Sequence, residues 1–381
     1  MVSSETCLSS PKDITVNIPH CATAVWKNLY VAADAFKDIA CWEWMSDSEL
    51  FGVKNPESGE IGYCCVLGAL GEVYGLVVYL GSAGLEQHQK IQSGKLHAGS
   101  PDFAYSQSCL TAWFGGRSDL DDTDLKVIKE LRLKYRGSDT WPQFRSMQPG
   151  YIPWYLSERE AKFLTLCLEQ ARHVALDFER EPELLNPPAK NLHLVRVQGE
   201  KTAEHSASPS LSSGQQTLFP DVIASPVHEW NSQWLGPPPL AKAAVSPFPI
   251  DEVRLQRIKK TSQAHRGIWE IDAFYTPAPV DGTTRPFFPY TLLYADQSSG
   301  FILGTALAEP STWESEFPKT FLDSLEEHKL LPDELSFRKA ELRELFGPLA
   351  NQLEIAVKLT KKLPAVDRAK RELLKFMEKR H

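Results

Sequence analysis

The fold of the C-terminal half depends on one apolar stretch, Gly267-Ile268-Trp269-Glu270-Ile271-Asp272-Ala273-Phe274. We predict that it is a β-strand, because apolar residues run through it and a hairpin follows it. The polar turn Asp296-Gln297-Ser298-Ser299-Gly300 separates two further apolar runs, 287–295 and 301–308, which completes an antiparallel meander of three strands. Asp272 therefore stands on the first strand of this meander. Its carboxylate is the group of the chain that says most about the function of the C-terminal block.

Helices and strands alternate around this meander. The predicted elements are a helix at 250–260 before it, a helix at 315–330, a strand at 334–337, a helix at 340–353, a strand at 355–359 and a last helix from Pro364. Proline is favoured in the first turn of a helix, where its missing N–H has no intrahelical partner. Strands separated by helices imply right-handed parallel crossovers, so residues 250–381 are predicted to form an α/β domain with a mixed sheet in the order βββαβαβα.

The N-terminal block mixes helices and strands. Helical spacing of apolar residues predicts helices at 22–38 and 125–135, and the capping box Ser157-Glu158-Arg159-Glu160 introduces a longer one. Ser82 is expected to cap a short helix at 85–91. Apolar runs predict a hairpin from 61–67 and 73–80, and further strands at 108–114 and 191–197. Residues 1–197 are therefore predicted to form an α+β domain.

A change of composition separates the two blocks. Residues 198–249 are rich in proline and serine, as in Ser206-Ala207-Ser208-Pro209-Ser210 and Gly236-Pro237-Pro238-Pro239. Such segments bury too little apolar surface to offset the entropy of ordering, so we predict a linker. Trp230 and Trp234 are exceptions, and we expect both to dock on a neighbouring surface.

Composition indicates a soluble, cytoplasmic protein. The net charge of −8 argues against wholesale binding of nucleic acid, although local basic patches could still bind it. The seven cysteines lack the spacing of a disulfide scaffold, which favours reduced thiols. The adjacent Cys64 and Cys65 are expected to point to opposite faces of a strand. The start of the chain lacks the pattern of a signal peptide, and glycines break the longest apolar run at 63–80, which makes it a poor membrane span.

The second block resembles the opening of integrase and transposase catalytic cores, which have a ribonuclease-H-like fold. The residues that carry the resemblance are Trp269-Glu270-Ile271-Asp272 and 293–304. The resemblance implies that Asp272 binds a metal ion, Mg²⁺ or Mn²⁺, in a site for phosphodiester chemistry. Such chemistry needs two or three converging carboxylates, because two cations must hold the attacking and leaving oxygens. The candidates for a divalent-metal-dependent nuclease or phosphoryl-transfer enzyme are Asp272, Asp296, Asp367 and Glu372.

The sequence departs from the family pattern after the fourth strand. The second family acid is expected there, but this chain has Ser336-Phe337-Arg338-Lys339, with two cations in place of an anion. Asp367 and Glu372 are equally suited to pairing with basic neighbours on their own helix. This departure favours a degenerate ribonuclease-H-like domain without a metal cofactor.

The whole chain also resembles a two-domain family of uncharacterised bacterial proteins. The segments that carry this second resemblance are 51–53, 60–72 and 79–81 in the first block and 335–369 in the second. This family implies no activity.

Two further patterns leave binding alternatives open. Residues 358–380 hold nine lysines or arginines against three acids, and Lys361, Lys362, Arg368 and Arg371 are the candidate binding residues for phosphates. A solvated amphipathic helix explains the same pattern. The acidic residues of 119–124 faintly resemble a calcium-binding loop, but they fit the start of a helix better. The aromatic segment 141–155 has two interpretations, the stacking of bases and packing in a core.

The favoured interpretation is a two-domain binding or regulatory protein rather than an enzyme. An unknown protein partner is expected, and nucleic acid is a possible ligand through the basic C-terminal segment. The metal-dependent nuclease is the alternative.

Overall fold

The computed structural model describes residues 21–97, 99–199, 229–239, 248–262, 266–282 and 284–378. Within these ranges the chain forms two units, each built on its own β-sheet. None of the helices there has the length and hydropathy needed to cross a lipid bilayer.

The N-terminal unit is an α+β structure around a seven-stranded sheet. Its strands are β1 Leu50–Lys54, β2 Ile61–Leu67, β3 Tyr74–Leu80, β4 Cys109–Gly115, β5 Trp141–Met147, β6 His193–Gln198 and β7 Trp230–Leu235. Its helices are α1 Thr23–Asp38, α2 Gly81–Gln92, α3 Pro101–Ser106, α4 Asp122–Glu130 and α5 Glu158–Arg180. The sheet order is β5-β4-β3-β2-β1-β6-β7, and only β1 and β6 pair in parallel.

Alternation along the strands gives this sheet two buried faces. Residues such as Phe51 and Cys64 pack beneath α1 and α5, whereas Cys65 and Tyr79 pack with Leu85 of α2 on the other face. The expected opposite orientation of Cys64 and Cys65 is therefore confirmed. The predicted capping box at the start of α5 is also confirmed, since Ser157 and Glu160 each accept a bond from the other's backbone N–H.

Three local predictions differ from the structure. Ser82 does not cap α2, because the helix begins at Gly81 and the Ser82 hydroxyl instead donates to the carbonyl of Pro238. Helix α4 begins and ends earlier than 125–135, since Asp121 caps it and Arg132 adopts a positive φ of 56° just after it. Strand β7 lies inside the predicted linker 198–249, where its pairing with β6 places Trp234 opposite Leu194. Residues 200–228 and 240–247 of that linker lie outside the described residues.

The C-terminal unit is built on a five-stranded mixed sheet. Its strands are β8 Ile268–Tyr275, β9 Tyr290–Asp296, β10 Ile302–Ala308, β11 Glu334–Phe337 and β12 Ala356–Leu359. Its helices are α6 Glu252–Thr261, α7 Trp313–His328, α8 Ala340–Gln352 and α9 Pro364–Glu378. The order is β10-β9-β8-β11-β12, in which the first three strands are antiparallel and β8, β11 and β12 are parallel. The predicted meander and the mixed sheet are both present.

Helices cover the two faces of this sheet unequally. Residues of α6, α7 and α8 form the larger core with Trp269, Ile271 and Ala273 of β8. In the part of the chain that the structure describes, the opposite face packs against α9 and Leu363 just before it, through Leu293 of β9 and residues such as Val366. The α9 face is therefore the less covered of the two faces, and its exposed part lies at β10, where Ile302 and Leu307 reach solvent.

Backbone hydrogen bonds join the two units. Phe288 N–H donates to Gly150 O at 2.8 Å, and Ile152 N–H donates to Pro286 O at 3.1 Å. The buried guanidinium of Arg285 adds a bond to Ser146 O at 2.9 Å. These contacts fix the loop after β5 against the loop between β8 and β9.

Candidate functional site

Strand β8 presents two buried carboxylates to the α9 face. Side chains alternate along a strand, so Glu270, Asp272 and Phe274 share one face while Trp269 and Ile271 pack in the core on the other. Glu270 is 0% exposed and Asp272 is 2% exposed. A buried carboxylate requires either hydrogen bonds or a cation, and the two acids meet this requirement in different ways.

Asp272 is paired with an arginine from the neighbouring strand. Strand β11 runs parallel to β8 with Phe337 opposite Ile271, so the next residue, Arg338, emerges beside Asp272. Its Nη1 lies 3.3 Å from Asp272 Oδ2 and its Nη2 lies 2.5 Å from Asp367 Oδ1 on α9. The guanidinium therefore bridges two carboxylates that lie 95 positions apart in sequence, between residues 272 and 367.

Two lysines add positive charge around the same carboxylate. Burial raises the pKa of Asp272, and the charges of Lys339, Arg338 and Lys370 oppose that rise. Burial lowers the pKa of Lys370, whose Nζ lies 4.4 Å from the centroid of the Phe274 ring. Lys339 Nζ donates to the hydroxyl of Tyr290 at 3.0 Å. Asp272 is thus surrounded by cations that belong to the protein.

Glu270 uses backbone hydrogen bonds instead of a cation. Its Oε2 accepts from the N–H groups of Ala365 and Val366 at 2.8 and 3.1 Å, in the first turn of α9. Its Oε1 accepts from Gln297 Nε2 at 3.1 Å. A carboxylate at this position satisfies free N–H groups and interacts favourably with the helix dipole. Glu270 therefore anchors the helix that carries Asp367.

The four predicted metal-binding acids do not converge. Asp296 lies opposite Trp269, three positions along β9 from the residue that pairs with Asp272, so about 10 Å of strand separates the two acids. Asp296 accepts bonds from Ser298 and Ser299 in its own turn. Glu372 is exposed on α9. Among the described residues, no group of three or more His, Cys, Asp or Glu side chains has the geometry to hold a metal ion.

These residues do not fit a two-cation site. Two metal ions would need two or three oxygen-rich side chains around a common point. Asp272 and Asp367 are the acids that the fold brings near each other, and the guanidinium of Arg338 already bridges them. These acids therefore do not provide a site for a metal-dependent catalytic step.

Three of the four predicted binding residues line a common hollow. This basic hollow is formed by Lys362, Pro364, Asp367, Arg368 and Arg371, and its volume is about 460 Å³. The fourth predicted residue, Lys361, is exposed in the loop that leads into α9. The hollow adjoins the Arg338–Asp367 ion pair, because Asp367 belongs to both. Lys379 and Arg380 lie outside the described residues.

The acidic and aromatic segments of the N-terminal unit form a structural network. Asp121 caps α4 by accepting from Thr123 N–H and Asp124 N–H, which confirms the helix-start interpretation. The buried Arg145 donates to Asp121 at 2.9 Å and to Asp124 at 2.7 Å, and Tyr155 donates its hydroxyl to Asp121 at 2.7 Å. These groups satisfy one another's hydrogen bonds inside the unit, so their polar atoms are already engaged within the protein.

Sequence patterns mark both Glu270 and Arg338. Acids at positions i and i+2 of an apolar strand share a face, which marks Glu270 together with Asp272. Arg338 stands where the family pattern has an acid, and a cation in that place is suited to an ion pair with Asp272. The partners of both residues depend on the tertiary structure.

Comparison with known proteins agrees with the division into two units. Residues 26–196 match a family model described as a domain of unknown function (DUF7309), and residues 254–374 match a second model with the same description (DUF6930). No curated protein and no solved structure matches the chain. The two matches are consistent with an uncharacterised two-domain protein and assign it no activity.

Proposed function

We propose that this protein is a non-catalytic binding protein whose C-terminal unit is an inactive ribonuclease-H-like domain. The observation that carries the proposal is the bridge from Arg338 to Asp272 and Asp367, at 3.3 and 2.5 Å. A fixed guanidinium supplies the positive charge that a carboxylate pair would otherwise take from a metal ion. The strand order β10-β9-β8-β11-β12, with three antiparallel strands before the parallel crossovers, supports the ribonuclease-H-like part of the proposal.

A cleavage assay tests the non-catalytic role. Labelled single-stranded and double-stranded oligonucleotides of DNA and RNA would be incubated with the protein in Mg²⁺ and in Mn²⁺. We expect no cleavage, and calorimetric titration with Mn²⁺ should detect no binding in the micromolar range. Cleavage that needs Mn²⁺ and disappears in Asp272→Asn would support the alternative, a divalent-metal-dependent nuclease that uses Asp272 with Asp296, Asp367 or Glu372.

A second candidate function is the binding of nucleic acid without cleavage. It is favoured by the basic hollow, where Lys362, Arg368 and Arg371 lie together on a surface next to further cations. Arginines and lysines that neutralise phosphates supply affinity without sequence preference, and such binding weakens steeply with salt. The negative net charge of the chain confines this role to a local patch.

Charge reversal tests this second function. We expect the double variant Lys362→Glu/Arg371→Glu to bind an oligonucleotide at least about tenfold more weakly than the wild type, with a salt slope reduced by about 2. Fluorescence anisotropy at several salt concentrations measures both. Arg257→Glu is the matched control, because Arg257 is exposed on α6 against the opposite face of the sheet. Equal affinity of the double variant and the control would exclude the hollow as the binding surface.

We also propose that the protein acts in the cytoplasm. All six cysteines among the described residues are free and buried, which supports a reducing compartment. Its partner is proposed to be another protein or a nucleic acid that reaches the α9 face.

A further inference from the structure

Strand β10 forms the outer edge of the C-terminal sheet and carries an uncovered apolar stripe. Residues that pair directly across a ladder share a face, so Ile302, Thr305 and Leu307 lie on the α9 face with their partners Ala295, Leu293 and Thr291. Ile302 is 44% exposed and Leu307 is 62% exposed. Phe301, just before the strand, is 66% exposed. Helix α9 packs on β8 and β9 and leaves Ile302 and Leu307 exposed.

The other three sheet edges carry features that discourage pairing, whereas on β10 such features are confined to its start, where a register shift follows Ile302 and His328 Nε2 bonds to the carbonyl of Leu303 at 3.1 Å. Strand β5 contains Pro142 and is bridged by Trp154, β7 displays the polar run 231–233, and β12 has four residues including Lys358. Proline, charge, polarity and short length all discourage a strand from pairing with another chain. From Phe301 to Ala308 the sequence Phe-Ile-Leu-Gly-Thr-Ala-Leu-Ala has no charge and no proline. A register shift separates Ile302 from Gly304, so Gly304–Ala308 is the regular part of the edge.

We propose that this edge pairs with β10 of a second copy of the chain, in an antiparallel arrangement about a two-fold axis near Ala306. Two copies of one antiparallel edge are complementary by symmetry, because each unpaired N–H of one faces a C=O of the other. Thr305 and Leu307 of each copy then lie next to each other across the new pair, and the two apolar stripes join. The result is one continuous ten-stranded sheet.

Charge complementarity at the strand ends favours a second copy as the occupant. Arg368 Nη1 lies 3.5 Å from the position of a Cβ on Gly300, two residues before β10, and Glu309, whose carboxylate accepts from the Tyr151 hydroxyl at 3.0 Å, follows the last residue of the strand. Antiparallel pairing brings the Gly300 end of each copy towards the Glu309 end of the other. A guanidinium and a carboxylate therefore approach each other at both ends of the contact.

Sedimentation velocity over a range of protein concentrations tests the proposal. The wild type is expected to form a species of twice 42.8 kDa at about 100 μM, which resolves a Kd near 10 μM. Leu307→Lys and Thr305→Lys should each weaken this association at least about tenfold, because they place charge in the apolar contact. Val253→Lys is the matched control, since Val253 is 72% exposed on α6 and should leave the dimer intact.

Hydrogen exchange gives a second readout at the edge itself. In the wild type, amides of 304–308 should become more protected as the protein concentration rises, and in Leu307→Lys they should not. Circular dichroism would verify that both lysine variants remain folded. A wild type that stays monomeric at about 100 μM, or a Leu307→Lys variant that dimerises as well as the wild type, overturns the proposal.

Discussion

Replacing Arg338 with alanine is expected to lower the free energy of unfolding by about 2 kcal/mol. Asp272 has 3% of its side chain exposed, so without Arg338 its charge would stay buried with Lys339, Lys370 and the N–H of Ala273 as its remaining partners. Loss of one partner from a fully buried ion pair costs roughly 3–5 kcal/mol. The expected loss is smaller here because a third of the Arg338 side chain reaches solvent. Urea unfolding of both proteins measures the difference.

The loss of unfolding free energy in Arg338→Ala should increase as the pH rises. Burial raises the pKa of Asp272 above its usual value of 3.8. A carboxyl whose pKa is higher in the folded state stabilises the fold below its unfolded pKa, and this contribution is lost as the pH rises through the folded pKa. Removing Arg338 raises the folded pKa further. The deficit of Arg338→Ala should therefore be small below about pH 4 and grow towards neutral pH. A deficit that is constant with pH would contradict this electrostatic account.

A double-mutant cycle separates the ion pair from packing effects. In Asp272→Asn the side chain keeps its shape but no longer needs a cation, so adding Arg338→Ala should cost less than it does in the wild type. Arg338→Lys is a second control, because it keeps the charge but loses the two-pronged geometry that reaches both Asp272 and Asp367. Additive losses in the cycle would show that the two residues do not interact.

Local patterns predicted most elements of the C-terminal unit but not its site. The predicted strand 334–337 has the same bounds as β11 in the structure. It can be predicted because this short segment stands between two segments with helical patterns. Strand β1, Leu50–Lys54, was not predicted, since its five residues lack a clear alternation. The bridge through Arg338 depends on the parallel register between β8 and β11, which no local pattern contains.

Charged residues of the α9 face are visible in the sequence, but their grouping is not. Arg368 and Arg371 lie on one side of α9 because they are three positions apart, whereas Lys362 belongs to the loop before the helix. The resemblance to integrases groups Asp367 with Asp296 as metal ligands, yet the fold places Asp367 beside Arg338 and Asp296 in a distant turn. Which side chains of different strands become neighbours depends on how the strands pair. The pairing register is known only from the three-dimensional structure.

Replacing Glu270 with alanine is expected to lower the free energy of unfolding by about 3 kcal/mol, because three hydrogen bonds to one buried carboxylate disappear together. The N–H groups of Ala365 and Val366 would then lack an acceptor inside the protein, and loss of a helix cap alone costs about 1 kcal/mol. Urea unfolding gives the total loss. Hydrogen exchange should show reduced protection in the first turns of α9.

Two controls distinguish this anchoring role from ordinary capping. Glu270→Gln keeps one carbonyl oxygen as an acceptor, so its loss should be about 1 kcal/mol. Asp251→Ala removes the exposed cap of α6, which accepts from Arg254 N–H at 3.0 Å, and should also cost about 1 kcal/mol. If Glu270→Ala cost no more than Asp251→Ala, the buried carboxylate would be only a cap. If Glu270→Ala loses more unfolding free energy than Asp251→Ala, and the amides of α9 are the first to lose protection, Glu270 has a larger role than a cap. Strand β8 then holds α9, and with it the basic hollow, in place through Glu270.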